Sequence, residues 1–185
     1  FAPEEQVSAA VAPYGDRAAI AAINGPQTTV VSGTAEAVEA VVAAVAQQKI
    51  RSRRLAVAQG AHSPLIDGVL DEFEAVAATV KFNEPQIALV SSLYGRMVQP
   101  GEVTNAGYWR RHLRQPVRFA DAMAALYADG NDVFIEIGPN PTLIAMGQRC
   151  LPAEGTVGRP SGGPIGLAVW APSLRQGSEE WRQVL

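Results

Sequence analysis

The first third of the chain contains two short apolar runs, followed by apolar residues that recur at the spacing of a helix. Residues 18–24 and 28–31 are apolar and partly β-branched, and the turn-forming segment 25–27 separates them, which predicts a hairpin-like pair of strands. Valines then recur at helical spacing between Thr34 and Lys49, with Thr34 as a possible N-cap. The predicted local order is strand, strand, helix.

A second helix is predicted to begin just after His62. Ser63 can cap its N-terminus, and Pro64 suits the first helical position. The apolar residues that follow at helical spacing are predicted to form its buried face: Ile66, Val69, Leu70, Phe73, Val76 and Val80. His62 therefore lies in an irregular segment immediately before a helix.

The remaining pattern continues to mix strands and helices. A strand is predicted over 87–90, and helices over 105–113 and 117–128 are interrupted at Gln115-Pro116, because proline disfavours helix in the residue before it. Residues 132–137 are a strand candidate. Such a mixture predicts an α/β or α+β fold.

Turn chemistry predicts the elements after residue 137. Asn140 can cap a helix that Pro141 opens, and 155–164 is rich in glycine and proline and is typical of a mobile loop. A strand over 165–170 and a helix over 177–185 complete the predicted order.

Composition limits the classes of function. The 185 residues are 48% hydrophobic, enough for one or two soluble globular units, and the net charge of −3 gives no electrostatic case for nucleic acid or for an anionic membrane. The single Cys150 excludes an internal disulfide framework and cysteine-rich zinc modules. No run approaches the roughly 20 apolar residues that span a bilayer. We expect a cytoplasmic protein without a metal site, and a chain that is a piece of something larger, since it starts at Phe1.

His62 and His112 are the only histidines, and they are the candidates for a neutral-pH base. The positive end of the helix dipole disfavours the imidazolium form of His62 and so favours its basic form. On the residues alone, a histidine that simply helps to cap a turn is the favoured interpretation, and a general base is the alternative. No serine has the Gly-x-Ser-x-Gly setting of an activated nucleophile, so nucleophilic catalysis is incomplete in this chain.

Four arginines lie within the nine residues from Arg110 to Arg118, interleaved with aromatic residues. This cluster could bind an acidic partner, or it could be a solvated helix face whose aromatics point inward. The glycines Gly33, Gly60 and Gly138 belong to no phosphate-binding pattern.

Four segments, in order, resemble the acyltransferase domains of type I polyketide synthases. They are 24–33, 61–64, 108–119 with the family pattern YW…LRxPVRF, and 136–143 with the pattern EIGPxPxL. A fifth, 172–181, resembles the linker that follows the acyltransferase in these synthases. The combination is far more specific than any one segment.

The resemblance implies a division of the chain into three parts. Residues 1–57 would be most of a ferredoxin-like small subdomain, incomplete at its N-terminus, and 58–150 would be the C-terminal part of an α/β-hydrolase-like large subdomain. Residues 151–185 would be a loop and the linker.

The resemblance also implies a mechanism. A serine takes an acyl group from coenzyme A and passes it to the phosphopantetheine thiol of an acyl carrier protein. His62 matches the family histidine, and the backbone carbonyl that orients it aligns with His112, where the family more often has asparagine or glutamine. Asn24 is expected to bind substrate. The GHSxG serine and the carboxylate-binding arginine would lie before Phe1, so we expect no turnover without the upstream half.

The resemblance also implies which residues select the substrate and which contact the carrier protein. Gln59, Gly60 and Ala61 occupy the family's substrate fingerprint and match neither the HAFH of malonyl enzymes nor the YASH of methylmalonyl enzymes. The small Ala61 leaves room for an α-branch and favours methylmalonyl or another substituted unit. The basic residues that would contact the carrier protein are Arg51, Arg53 and Arg54.

The expected partners follow from the same resemblance: the acyl carrier protein, acyl-CoA, the adjacent ketosynthase and other synthase domains, and the upstream half, with no nucleic acid or membrane. The coenzyme A thioester and the phosphopantetheine arm are substrates, and no cofactor is expected to be permanently bound. Two alternatives are a non-catalytic docking or scaffold piece and a free-standing malonyl transacylase of fatty-acid synthesis. The linker-like 172–181 argues against the transacylase.

Overall fold

The computed structural model of the chain describes residues 1–57, 60–151 and 168–174. The chain divides into two compact units, Phe1–Ala122 and Met123–Leu185. The predicted subdomain boundaries at 57/58 and 150/151 stay predictions.

The N-terminal part of the first unit consists of two helices against a hairpin. Its elements are α1 (Glu4–Val11), a 3₁₀ turn (Ala12–Tyr14), β1 (Ala18–Gly25), β2 (Thr28–Gly33) and α2 (Ala35–Gln47). Strands β1 and β2 pair antiparallel, and the Thr34 hydroxyl accepts a hydrogen bond from the Ala37 amide at 3.3 Å. The predicted hairpin, helix and N-cap are thus confirmed.

An apolar core holds these elements together. Its buried residues come from the two helices and the chain start: Ala2, Val7, Ala10, Val11, Val41 and Val45. A Cβ at Gly33 would overlap the Arg17 carbonyl and Ala18, so only glycine permits this approach of the two strands.

The second part of the first unit contains mostly short elements. They are a 3₁₀ helix (Pro64–Val69), α3 (Leu70–Ala77), β3 (Val90–Ser91), β4 (Arg96–Met97), α4 (Ala106–Arg114) and the start of α5 (Phe119–Ala128). Helices α4 and α5 fall where the sequence predicts them, and they are separated at Gln115-Pro116 as expected.

The segment after Pro116 joins the hairpin. The Val117 amide donates to the Ala21 carbonyl at 2.9 Å, and the Ile23 amide donates to the Val117 carbonyl at 2.8 Å. Val117 thereby forms an isolated parallel bridge with Ala22 beside β1. The first unit therefore includes both the hairpin and the end of α4.

One prediction about a buried helix face and one prediction of a strand are wrong. The helix after Ser63 begins as a 3₁₀ helix, and four residues of its predicted buried stripe are exposed, at 36–62% of their surface: Val69, Phe73, Val76 and Val80. Ile87 and Leu89 lie outside β3, which starts only at Val90, and both are exposed. Apolar residues at regular spacing show which face of an element can be buried. Burial and strand pairing also need a neighbouring element, and no described residue covers these positions.

The second unit contains a parallel strand pair and one short helix. Strand β5 (Val133–Glu136) pairs with β6 (Val169–Pro172), and α6 (Thr142–Gly147) lies between them in sequence. The rings of Phe134 and Trp170 stack across the pair with centroids 4.5 Å apart. Strand β6 shares only residues 169 and 170 with the predicted strand over 165–170 and continues to Pro172, and 165–167 lie outside the described residues.

The start of α6 differs from the prediction. Pro141, not Asn140, is the N-cap residue, and it makes no side-chain cap hydrogen bond. The Glu136 carboxylate instead accepts hydrogen bonds from the amides of Thr142, Leu143 and Ile144 at 3.0, 2.9 and 2.9 Å. A carboxylate is favourable there because it satisfies amides left unpaired at a helix start. The predicted loop 155–164 and helix 177–185 lie outside the described residues.

Among the described helices, none is long and apolar enough to cross a membrane.

Candidate active site

His62 is held in an unusual backbone conformation by the turn around it. Its φ of +57° is in the left-handed region, which few residues other than glycine adopt. The fully buried Ser63 hydroxyl donates to the Gly60 carbonyl at 2.5 Å and accepts from the Leu65 amide at 3.3 Å, as its predicted capping role requires. A Cβ at Gly60 would overlap the Leu65 side chain. A larger residue at position 60 would therefore have to displace the Leu65 side chain.

The His62 ring is oriented by a backbone carbonyl. Its Nδ1 lies 2.8 Å from the carbonyl oxygen of Gln115. A carbonyl can only accept, so Nδ1 carries the hydrogen and Nε2 of the neutral ring has a free lone pair. The arrangement leaves Nε2 able to take a proton from a substrate or from a nucleophile.

The prediction that the His112 carbonyl orients His62 is wrong, because Gln115 supplies that carbonyl. His112 lies within α4, whereas Gln115 ends this helix with φ −82° and ψ 159°. This extended conformation is the one that Pro116 imposes on the residue before it, and it turns the Gln115 carbonyl out of the helix. The helix break at Gln115-Pro116 and the family's preference for asparagine or glutamine could both have indicated Gln115 from sequence.

The His112 side chain has its own partners. Its Nε2 lies 2.9 Å from the Ser92 hydroxyl, and the rings of Tyr108 and Trp109 lie with centroids 5.8 and 5.9 Å from it. Burial lowers the pKa of His112 below its ordinary value, and electrostatic repulsion between the two imidazoles of His112 and His62 lowers that pKa further. The neutral form of His112 is therefore favoured beside His62.

The four clustered arginines have partners within the chain. Arg110 contacts Asp71 and Glu74, Arg111 contacts the Tyr94 hydroxyl, Arg114 contacts Asp67, and Arg118 contacts Asp121 and Glu4. These contacts favour a structural role for the cluster over an acidic binding partner. Arg110 and Arg114 tie α4, which ends at Gln115, to the helical segment that follows His62.

The other sequence-predicted site residues lie in separate parts of the chain. Ala61 is exposed beside His62, and Gln59 lies outside the described residues. Asn24 is half-buried in β1, next to Ile23, which bonds to Val117. The proposed roles of these residues stay predictions.

The basic segment 51–54 is exposed. Arg51 accepts a hydrogen bond from the Phe1 amino group through its carbonyl at 2.6 Å, and Arg54 lies 3.9 Å from Glu39. Arg53 is also exposed. In the part of the chain that the structure describes, no three histidine, cysteine, aspartate or glutamate side chains cluster so as to hold a metal ion.

A family model described as "Acyl transferase domain" matches residues 4–172. Polyketide synthase GfsA of Streptomyces halstedii is 43% identical over 157 residues, which are 85% of this chain but 2% of that protein. The chain therefore spans only a small fraction of this curated relative.

Solved structures are similar over nearly the whole chain. The acyltransferase domain from the second module of the salinomycin polyketide synthase superposes with a TM-score of 0.87 at 34% identity, covering 98% of this chain and 40% of that one. The acyltransferase domain of SpnD, solved in complex with 2-(pent-4-yn-1-yl)malonyl, superposes with a TM-score of 0.81 at 28% identity, covering 96% of this chain and 40% of that one. These matches confirm the predicted mixed α/β class.

Proposed function

This chain belongs to the acyl transferase domain family, and from that membership we propose that it is part of an acyltransferase that moves malonyl-type units onto a carrier protein. The donor is a coenzyme A thioester, and the final acceptor is the phosphopantetheine thiol of an acyl carrier protein. The 34% identity to an acyltransferase domain of a modular polyketide synthase supports this reaction class over a free-standing transacylase.

The hydrogen bond between His62 and Gln115 carries the proposal. With Nδ1 bonded to the Gln115 carbonyl at 2.8 Å, the ring cannot flip without losing a partner, and Nε2 presents its lone pair in one direction. A general base needs this combination of fixed tautomer and fixed direction. A residue that merely capped a turn would not need its ring anchored by a carbonyl 53 positions along the chain.

The reaction runs in two half-reactions. In the first, His62 Nε2 takes the proton of a serine hydroxyl as its oxygen attacks the thioester carbonyl carbon; the C–S bond breaks, and His62 returns the proton to the coenzyme A thiolate. In the second, Nε2 takes the proton of the carrier thiol, whose sulfur attacks the acyl-serine ester. The C–O bond breaks, and the serine oxygen receives the proton.

The serine and the arginine that binds the substrate carboxylate are expected in the part of the domain outside this chain. The acyltransferase domains similar to it are longer, since the chain covers 40% of the salinomycin structure. The SpnD domain was solved with a substituted malonyl group, which supports a malonyl-type substrate here as well.

The test uses the complete domain and the substitution His62→Ala. Serine acylation by malonyl-CoA and methylmalonyl-CoA is followed by mass spectrometry, and the variant should be slower by about 10²–10⁴-fold, the usual effect of removing a positioned base. Thr79→Ala is a control, because it removes an exposed hydroxyl that bonds only locally to the Val76 carbonyl. Wild-type acylation by His62→Ala would exclude the role of His62, and a wild-type domain that accepts neither acyl group would favour the scaffold alternative.

A further inference from the structure

Ser92 makes hydrogen bonds on both sides of Gln115. Its hydroxyl lies 2.9 Å from His112 Nε2, three residues before Gln115, and its carbonyl accepts from the Arg118 amide at 2.7 Å, three residues after it. One residue of the loop after β3 thus joins the last turn of α4 to the extended segment that follows.

The chain between these two hydrogen bonds has little freedom left. The Gln115 amide donates to the Arg111 carbonyl at 2.7 Å, the ring of Pro116 restricts its own φ, and Val117 is bonded to β1 through both its amide and its carbonyl. The direction of the Gln115 carbonyl is therefore set by the positions of α4 and β1. Ser92 is the residue that bonds to both flanking stretches.

The contact between Ser92 and His112 is protected from water on the helix side. The Tyr108 and Trp109 rings pack around the imidazole, and both Ser92 and His112 are partly buried. A hydrogen bond in such surroundings is stronger and more directional than one in water. It can therefore restrain the last turn of α4.

We propose that Ser92 and His112 are positioning residues, which hold the Gln115 carbonyl where it receives the Nδ1 hydrogen of His62. This inference rests on the proposed function only in that it takes His62 as the base. Neither residue needs to touch substrate, and their effect reaches the reaction through the direction of the His62 ring.

The experiment compares Ser92→Ala, Ser92→Thr and His112→Phe in the complete acyltransferase domain. Ser92→Ala removes the hydroxyl and keeps the carbonyl, Ser92→Thr keeps both, and His112→Phe removes the same hydrogen bond from the other side while keeping an aromatic ring. The measurements are kcat and KM for serine acylation, together with the proton resonance of His62 Nδ1–H by NMR.

We expect Ser92→Ala and His112→Phe each to lower kcat about tenfold with little change in KM, within the ~10²-fold that a misplacement of about 1 Å can cost. In both variants, the Nδ1–H resonance of His62 should shift or be lost to exchange, whereas Ser92→Thr should retain it. The double variant should be no slower than the slower single one, since both substitutions remove one hydrogen bond.

Ser91→Ala is the matched control. The buried Ser91 hydroxyl bonds to the Tyr108 hydroxyl at 2.8 Å, so its loss loosens the same loop against α4 one turn farther from Gln115. It should lower the melting temperature and leave the Nδ1–H resonance in place.

Equal effects of Ser91→Ala and Ser92→Ala on kcat and on the resonance would overturn the positioning role. So would wild-type values of both in Ser92→Ala and His112→Phe while His62→Ala remains slow. Wild-type acylation by His62→Ala would instead overturn the proposed function itself.

Discussion

At the scale of single residues, His62 has two properties that a structural histidine does not need. Its backbone is left-handed, with φ +57°, and its ring is anchored by the Gln115 carbonyl. A non-glycine residue in this conformation costs on the order of 1–3 kcal/mol and persists only where the surroundings enforce it. Here the hydrogen bonds of the Ser63 hydroxyl on either side of His62 support it. Such strain is common at functional sites, and it adds to the case for His62 as a base.

Ala61 is predicted to influence the choice between malonyl and methylmalonyl substrates. Its side chain is exposed next to His62, and Ala61→Phe would add a large group there. If Ala61 lines the space for the α-carbon branch, the ratio of methylmalonyl to malonyl loading should fall by about 10-fold or more, because one misfitting methyl group in a pocket is worth roughly 10–200-fold. Competition between the two thioesters, with the acyl-serine products weighed by mass spectrometry, measures the ratio. An unaltered ratio at unaltered total rate would place selectivity elsewhere.

At the scale of elements, charge pairs join α4 to the helical segment after His62. Arg110 reaches two carboxylates of α3, and Arg114 reaches Asp67 at 2.5 Å. These pairs are partly exposed, so each contributes modestly to stability. Their directionality nevertheless restricts how the two elements slide past each other, and that keeps His62 close to Gln115.

Glu102, in the turn after β4, is predicted to make the stability of the fold depend on pH. Hydrogen bonds from the Arg96 guanidinium and then from the Gln99 amide lower the pKa of Glu102 to about 2. A folded-state pKa below the unfolded one stabilises the fold above the unfolded pKa of about 4.3, and this contribution is lost as the pH falls towards 2. Thermal unfolding of the complete domain should show Glu102→Gln less stable than wild type at pH 7, with the difference shrinking between pH 5 and pH 2.

Glu5→Gln, on the exposed face of α1, is the control for that titration. It should leave the pH dependence of the melting temperature as in wild type. A constant difference between Glu102→Gln and wild type from pH 7 to pH 2 would contradict the assignment of the lowered pKa to the folded turn.

At the scale of the whole molecule, this chain leaves apolar surface exposed that its sequence pattern marks for burial. The exposed apolar residues of the helical segment after Ser63 and the exposed Ile87 and Leu89 are examples. The similar acyltransferase domain of the salinomycin synthase is more than twice as long, since the match covers 98% of this chain and 40% of that one. We therefore expect the rest of the domain to cover this surface, as apolar side chains are stabilised by removal from water.

The exposed basic segment Arg51, Arg53 and Arg54 carries the prediction on the carrier protein. Reversing all three charges to glutamate should raise KM for the carrier about tenfold at low salt, because charges at an interface rim act mainly on encounter, and the effect should shrink as salt is added. Serine acylation by the coenzyme A thioester, measured without carrier, should stay near wild type. Arg17→Glu, at another exposed position, is the control. Equal carrier kinetics in the two variants would remove 51–54 from the docking surface.

The sequence by itself determined several local elements and the family. The hairpin, the cap at Thr34, the turn before Pro64 and the break at Gln115-Pro116 depend on neighbouring residues, so propensity and turn chemistry predict them. The resemblance to acyltransferase domains of polyketide synthases, carried by ordered blocks, is confirmed by the family match together with the similar polyketide synthases.

Only the tertiary structure decided which groups meet. His62 and Gln115 are 53 residues apart, Ser92 and His112 are 20 apart, and no local pattern determines such contacts. The same holds for Glu136 at the start of α6 and for the exposed apolar residues of the helical segment after Ser63, whose burial depends on elements that pack from elsewhere. A periodic pattern shows that a face can be covered, but direction, distance and partner arise only when separate segments pack together.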